Sequence, residues 1–304
     1  SNISLAFPLS KKSGFGISLK PYSNVGYTII GVQTQIEGTP NNYLSDINGS
    51  GGLNSFKLHY GYSLSKKFSI GISSSFLFGQ IIESELSSIE SNFLNLEDKN
   101  NFSGIQFGTG FQYKVSNKFS LGGIVNLPST LDGEQVRTVI LDDIPISINE
   151  NNIKNFKLPL EFGFGISSKI SERFSLNVDY KKSLWGATNQ YDQLGKYVDQ
   201  NIFSFGTEFI PKNNGLNYWQ TAQYRFGFNH DSGNLSINNN KVSSTEINLG
   251  IGLPLVKGTS SMINIGYSYG QKGKASTTLI KENYHSFSIN FSLESIWFLK
   301  KKIN

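Results

Sequence analysis

The chain has 304 residues, a formal charge of +5, no cysteine, and 16% charged against 38% hydrophobic residues. Disulfide and thiolate–metal frameworks are therefore excluded, and a small basic excess that is not interleaved with aromatics argues against nucleic acid as a partner. Soluble domains carry about 25% charged residues, so much of this surface is built for something other than water. Yet no stretch approaches the ~18 consecutive apolar residues of a membrane helix. With 31 Gly, 23 Phe and 14 Tyr, the composition fits an antiparallel β-barrel in lipid, a soluble β-sandwich or propeller being the alternative.

Period-two alternation begins at once, with Ile3, Leu5 and Phe7. No signal peptide precedes it. A secreted barrel needs one, so the N-terminus is expected to be processed, trimmed or left out. The pattern predicts about thirteen strands, near residues 2–9, 13–30, 53–64, 67–82, 101–115, 118–130, 155–170, 173–185, 201–211, 218–230, 241–255, 260–271 and 283–299. Residues 155–168 show it best. Phe156, Leu158, Leu160, Phe162, Phe164 and Ile166 fall on one face; Lys157, Pro159, Glu161, Gly163, Gly165 and Ser167 fall on the other. Apolar outside and small or polar inside is what a barrel wall in lipid requires.

One phrase recurs three times: Ser65-Lys66-Lys67-Phe68-Ser69, Ser116-Asn117-Lys118-Phe119-Ser120 and Ser171-Glu172-Arg173-Phe174-Ser175. Each copy reads as a tight turn between strands. Short connections alternate with long loops near 31–52, 83–100, 131–154 and 186–200, all within one domain spanning 1–304. In bacterial barrels the short turns and C-terminus are periplasmic and the long loops extracellular. Even strand numbers are the rule, so a fourteenth, ascending strand is expected upstream of Ser1. Phe68, Phe119, Phe174, Trp185, Trp219 and Trp297 lie near strand ends and are expected in the interfacial aromatic girdles. The basic turn residues are either solvated or meet anionic headgroups.

Catalytic chemistry finds little support. His59, His230 and His285 are scattered and lack ligand spacing, so no metal is expected. Serines are abundant but none is paired with a base, so no enzyme and no cofactor are expected. Gly163-Phe-Gly165, Gly250-Ile-Gly252 and Gly108-Thr-Gly110 place small residues along strands and need no phosphate to explain them. The polar parity of the strands carries Lys20, Lys57, His59, Glu161, Asp179, Glu208, Arg225, Glu246 and Glu294. These form either a salt-bridged filling or a site for a ligand headgroup. Arg225, Glu161, Glu208, Glu246, Lys57 and His59 are the candidate ligand residues; Arg225, expected among Glu161, Glu208 and Glu246, is suited to pair bidentately with a neighbour or to bind a carboxylate ligand.

Several segments carry a resemblance: residues 13–27 (SGFGISLKPYSNVGY), 49–54 (GSGGLN), 76–80 (FLFGQ), 261–273 (SMINIGYSYGQKG) and 279–284 (LIKENY), followed by a terminal strand to Trp297-Phe298. The chain resembles the FadL-like (long-chain fatty-acid transporter) family of outer-membrane barrels, in the form common in Bacteroidota. The resemblance implies fourteen strands and an N-terminal hatch. It also implies passive uptake of hydrophobic compounds such as fatty acids, released laterally through a kink in the wall; Pro128 and Pro159 mark either such a defect or merely a strand end. The hatch would lie upstream of the first strand. The other reading is a non-enzymatic accessory barrel in a larger outer-membrane complex, for secretion or outer-membrane protein assembly. Expected partners are membrane lipid and lipopolysaccharide, a hydrophobic ligand, and proteins of such a complex.

Overall fold

The structure is a computed structural model. It describes residues 2–39, 42–89, 92–142, 144–191, 195–212, 215, 217–255, 261–275 and 280–293. In chain order the strands are β1 (Ile3–Pro8), β2 (Ser13–Pro21), β3 (Val25–Gln35), β4 (Asn42–Ser63), β5 (Phe68–Ile89), β6 (Asn92–Lys114), β7 (Phe119–Asn126), β8 (Ser129–Leu141), β9 (Ile144–Leu158), β10 (Glu161–Lys169), β11 (Phe174–Ser183), β12 (Lys196–Tyr197), β13 (Gln200–Phe209), β14 (Gln223–Asp231), β15 (Leu235–Ile237), β16 (Asn240–Lys241), β17 (Ser244–Pro254), β18 (Met262–Lys272) and β19 (Glu282–Ser292). A 3-10 turn covers Trp185–Thr188 and a single helical turn, α1, covers Tyr218–Thr221. Sixteen of the strands join one antiparallel sheet, and β12, β15 and β16 form a small second one.

The chain divides into two compact units, one comprising Ser1–Gly110 and Val125–Leu160, the other Phe111–Ile124 and Glu161–Asn304. In the first, the strand path runs β1-β2-β4-β5-β6, with β3 also on β4, β8 on β6 and β9 on β8. In the second it runs β7-β10-β11-β13-β14-β17-β18-β19.

The usual inside–outside rule is reversed. Few apolar side chains are buried: Leu53, Leu77, Leu131, Leu158, Pro159, Trp185 and Ala222 among the described residues. Ile105, Phe107, Leu249, Phe287 and Phe291 stand more than half exposed on the apolar face of their strands. Water would not tolerate such a continuous exposed apolar surface, whereas lipid favours it. In the second unit this face is apolar for most of each strand, as Phe203, Phe205, Thr207 and Phe209 show on the ten residues of β13. Nine to eleven tilted residues suffice to cross a bilayer.

The first unit departs from that length. Strands β4, β5 and β6 have 22, 22 and 23 residues. Only part of each carries the apolar face: Phe56–Tyr62 on β4, Ile70–Phe78 on β5, Ile105–Tyr113 on β6. Beyond those spans the same parity turns mostly polar, through Asn54, Ser50 and Asn48 on β4, Gln80 and Ser84 on β5, and Ser103, Asn101, Lys99 and Glu97 on β6, with Leu44, Ile82, Leu86 and Phe93 as apolar exceptions. Gln80 donates to Asn101 at 2.9 Å across that boundary. The extended part continues through β3, β8 and β9.

These extensions correct the expected loops at 31–52, 83–100 and 131–154, which are largely strand. Their hydrophobic alternation is short and broken: Ile144, Ile146 and Ile148 alternate on β9, but β6 is mostly polar on both parities from Asn95 to Asn101. Ladder bonds and polar pairs hold them instead: Ser45–Ser87 at 2.9 Å, Gln135–Asn100 at 3.0 Å, and a bidentate Arg137–Asp98 pair. Three expected strands are each divided in two. Residues 13–30 break at Tyr22–Asn24, 118–130 at Leu127-Pro128, and 155–170 at Pro159-Leu160. Proline has no N–H for the ladder, and the pairing Ser129↔Leu158 puts the two proline breaks at one level.

The repeated phrase forms the same turn each time. The N–H of Ser65, Ser116 and Ser171 donates to the carbonyl of Phe68, Phe119 and Phe174, at 3.1, 3.1 and 3.2 Å. Each serine Oγ accepts from the two N–H groups that follow at positions +2 and +3, within 3.0–3.2 Å. A fourth copy joins β1 to β2. Ser10 Oγ accepts from Lys12 N and Ser13 N at 3.1 Å, and Ser13 replaces the aromatic. The common signal is Ser-x-basic, which a search that requires Phe passes over.

Candidate functional site

In the second unit the polar face is paved with glycine, serine and asparagine, and the register explains how charges sit on it. Arg225 on β14 lies opposite Glu208 of β13 and opposite Gly250 of β17. Its Nε donates to Glu208 Oε2 at 2.8 Å. The side chain of Arg225 lies over Gly250, where an added Cβ would be in ordinary contact with the arginine stem, 3.4 Å from its Cβ. The side chain thus reaches Asn264 of β18, donating to Oδ1 at 2.7 Å, and also Gln223 Oε1. A polar cavity of about 460 Å³ surrounds this cluster, with Asn177, Asn248 and Asn290 in its wall.

The other candidates separate into local pairs. Glu161, buried and opposite Ser183, accepts from Ser183 Oγ at 2.9 Å and pairs with Lys181 Nζ at 2.7 Å. Glu246 accepts from Tyr284 OH at 3.2 Å. It lies opposite Asn229, four residues along β14 from Arg225, about 13 Å by strand rise. Of the three glutamates expected beside Arg225, the structure brings only Glu208 to it. Lys57 and His59 lie in the first unit, on β4, where Ser18 Oγ is 3.3 Å from His59 Nε2. Asn264, Gln223, Lys181, Ser183 and Tyr284 belong to these clusters and were not expected. Strand parity places them on the polar face, but only the register shows which charges they meet.

The expected girdle residues also divide. Phe68, Phe119 and Phe174 open β5, β7 and β11, and each is half-buried beside its turn. Trp219 stands 58% exposed on α1, edge-on to Tyr218. Trp185 is buried and stacks on Tyr197 at 5.4 Å, so packing and not a lipid interface accounts for it. Trp297 lies outside the described residues.

Several solved structures share the fold, three of which illustrate it. CymD, a monoaromatic hydrocarbon channel, is 16% identical over 97% of this chain and 82% of its own, with a TM-score of 0.65. The toluene transporter TbuX of Ralstonia pickettii is 14% identical over 95% and 79%, at 0.66. The toluene transporter TodX of P. putida is 17% identical over 95% and 80%, at 0.61. Among curated proteins none matches. The likeness establishes the antiparallel transmembrane β-barrel class and agrees with the FadL-like fold expected from the sequence. The BamG profile matches residues 1–304, the full length of the sequence, and the chain therefore belongs to the BamG family.

Proposed function

We propose that the protein is a non-enzymatic outer-membrane barrel that serves as an accessory subunit of a larger outer-membrane complex, of the kind that assembles or secretes proteins. The observation that carries this reading is the one-sided sheet of the first unit. Strands β3–β6, β8 and β9 continue well past the apolar spans of β4–β6 as a sheet that mixes polar pairs with exposed apolar side chains such as Ile29, Leu86, Ile144 and Ile148. A transmembrane wall needs no such extension, whereas protein contacts do. Membership of the BamG family supports the same reading. The polar face of the second unit adds to it, since Arg225 and Lys181 are already neutralised by Glu208 and Glu161. On this reading the short turns face the periplasm and the extended sheet faces outward.

A second reading, passive uptake of small hydrophobic molecules, is favoured by the hydrocarbon channels that share the fold and by the 460 Å³ cavity at Arg225. Purification of a tagged chain from native membranes in mild detergent separates the two. Stoichiometric partner proteins are expected, retained with the full chain and lost when residues 132–155 are replaced by a short turn. Migration of the intact chain alone, together with toluene uptake into proteoliposomes that Arg225→Leu alters, would favour the channel.

A further inference from the structure

The turns β1–β2 and β4–β5 stand side by side in the first unit, joined by a 2.7 Å bond from Ser63 N to the Lys12 carbonyl. Both have the serine-capped geometry, which fixes two basic residues at each tip: Lys11 and Lys12 on one, Lys66 and Lys67 on the other. All four are exposed. None has a carboxylate within ion-pair distance among the described residues. Two strand spacings separate the tips, about 10 Å. Four lysines thus project from two adjacent turns, with no ion pair among the described residues to neutralise them.

What lies beside them identifies the occupant. Leu9 and Leu64, one in each connection, are 57% and 54% exposed. Next along the same strands come the exposed apolar side chains of Leu5 and Phe7 on β1, Tyr60 and Tyr62 on β4, and Ile70 and Ile72 on β5. Phe7 and Phe15 face one another in register with ring centroids 5.5 Å apart, so the apolar wall is continuous from β1 to β2. An acidic protein surface would match the lysines but not the apolar wall directly above them. A lipid with an anionic phosphodiester head and acyl chains matches both.

We infer that the paired turns Ser10–Ser13 and Ser65–Phe68 form a binding site for an anionic phospholipid, with the headgroup phosphate held by Lys11, Lys12, Lys66 and Lys67 and the acyl chains lying along Leu5, Phe7, Tyr62 and Ile70. The site is independent of whether the barrel conducts or assembles. Electrostatic attraction of a few basic residues to an anionic surface is strong at low salt and fades within a Debye length as salt rises.

The test is lipid retention by the full chain in nanodiscs, read by native mass spectrometry. Phosphatidylglycerol is expected to be retained about tenfold or more over phosphatidylcholine. The combined variant K11Q/K12Q/K66Q/K67Q is expected to lose that preference, while K99Q/K272Q keeps it. Heat-modifiable gel mobility checks that each variant is folded. Equal phosphatidylglycerol preference in the quadruple variant overturns the assignment. So does complete displacement of the lipid by inorganic phosphate at constant ionic strength, which would make the turns a free-anion site.

Discussion

At the scale of single residues, positions 51 and 52 show how backbone conformation is set by side-chain absence. Strand β2 stops at Pro21 and β3 resumes at Val25, both on β4. Between them Tyr22 N and Ser23 N donate to Leu53 O, at 2.7 and 3.2 Å, and Ser23 Oγ accepts from Leu53 N at 3.1 Å. That close approach requires Gly51 at φ +107° and Gly52 at φ +149°. An added Cβ would lie on the Gln80 carbonyl oxygen at one and on the Ser23 carbonyl oxygen at the other. Gly51→Ala should therefore lower stability by roughly 1–3 kcal/mol. Gly26→Ala, with open space around it, should stay within about 0.5 kcal/mol of the parent. Urea unfolding in detergent micelles compares the two, and equal midpoints would refute the strain. Arg225 makes a second residue-scale case. Its pair with Glu208 is about one-third exposed, so a double-mutant cycle of Arg225→Gln and Glu208→Gln should give a coupling of only about 0.5–1 kcal/mol.

At the scale of elements, one turn solves one problem four times. A two-strand connection leaves N–H groups without ladder partners, and the serine Oγ satisfies two of them. Ser65→Ala, Ser116→Ala and Ser171→Ala should each cost about 0.5–1.5 kcal/mol. These sites are separated by whole strands, so their effects should add; the triple variant's unfolding midpoint reports this, and a cost confined to one of the three would contradict the common geometry. The turn was legible because its chemistry is local. The extension of β6 was not, because period-two alternation exists only where the two faces meet different solvents. In Asn95, Glu97, Lys99 and Asn101 one face is polar, and in Leu96, Asp98 and Asn100 the other is mostly polar too, so nothing in the sequence distinguishes that strand from a loop.

At the scale of the molecule, the apolar face is a depth marker. Tryptophan placed at Leu249 or Phe291 should be strongly quenched by brominated lipid, and tryptophan at Asn48 or Glu97 should not. Quenching at Asn48 would mean that the extended sheet lies in the membrane and would remove the argument for it as a protein-binding surface. The sequence by itself determined the fold class, the two faces of the strands with an apolar span and the repeated turns, since alternation and turn chemistry are properties of neighbours along the chain. It also determined that the polar face carries Glu161, Glu208, Arg225 and Glu246. Only the tertiary structure decided that Arg225 meets Glu208 and Asn264, that Lys181 takes Glu161, that Trp185 is buried against Tyr197, and that β4 to β6 run on past their apolar spans. Those outcomes depend on register between strands distant in sequence, where moving the pairing by a single residue exchanges the two faces.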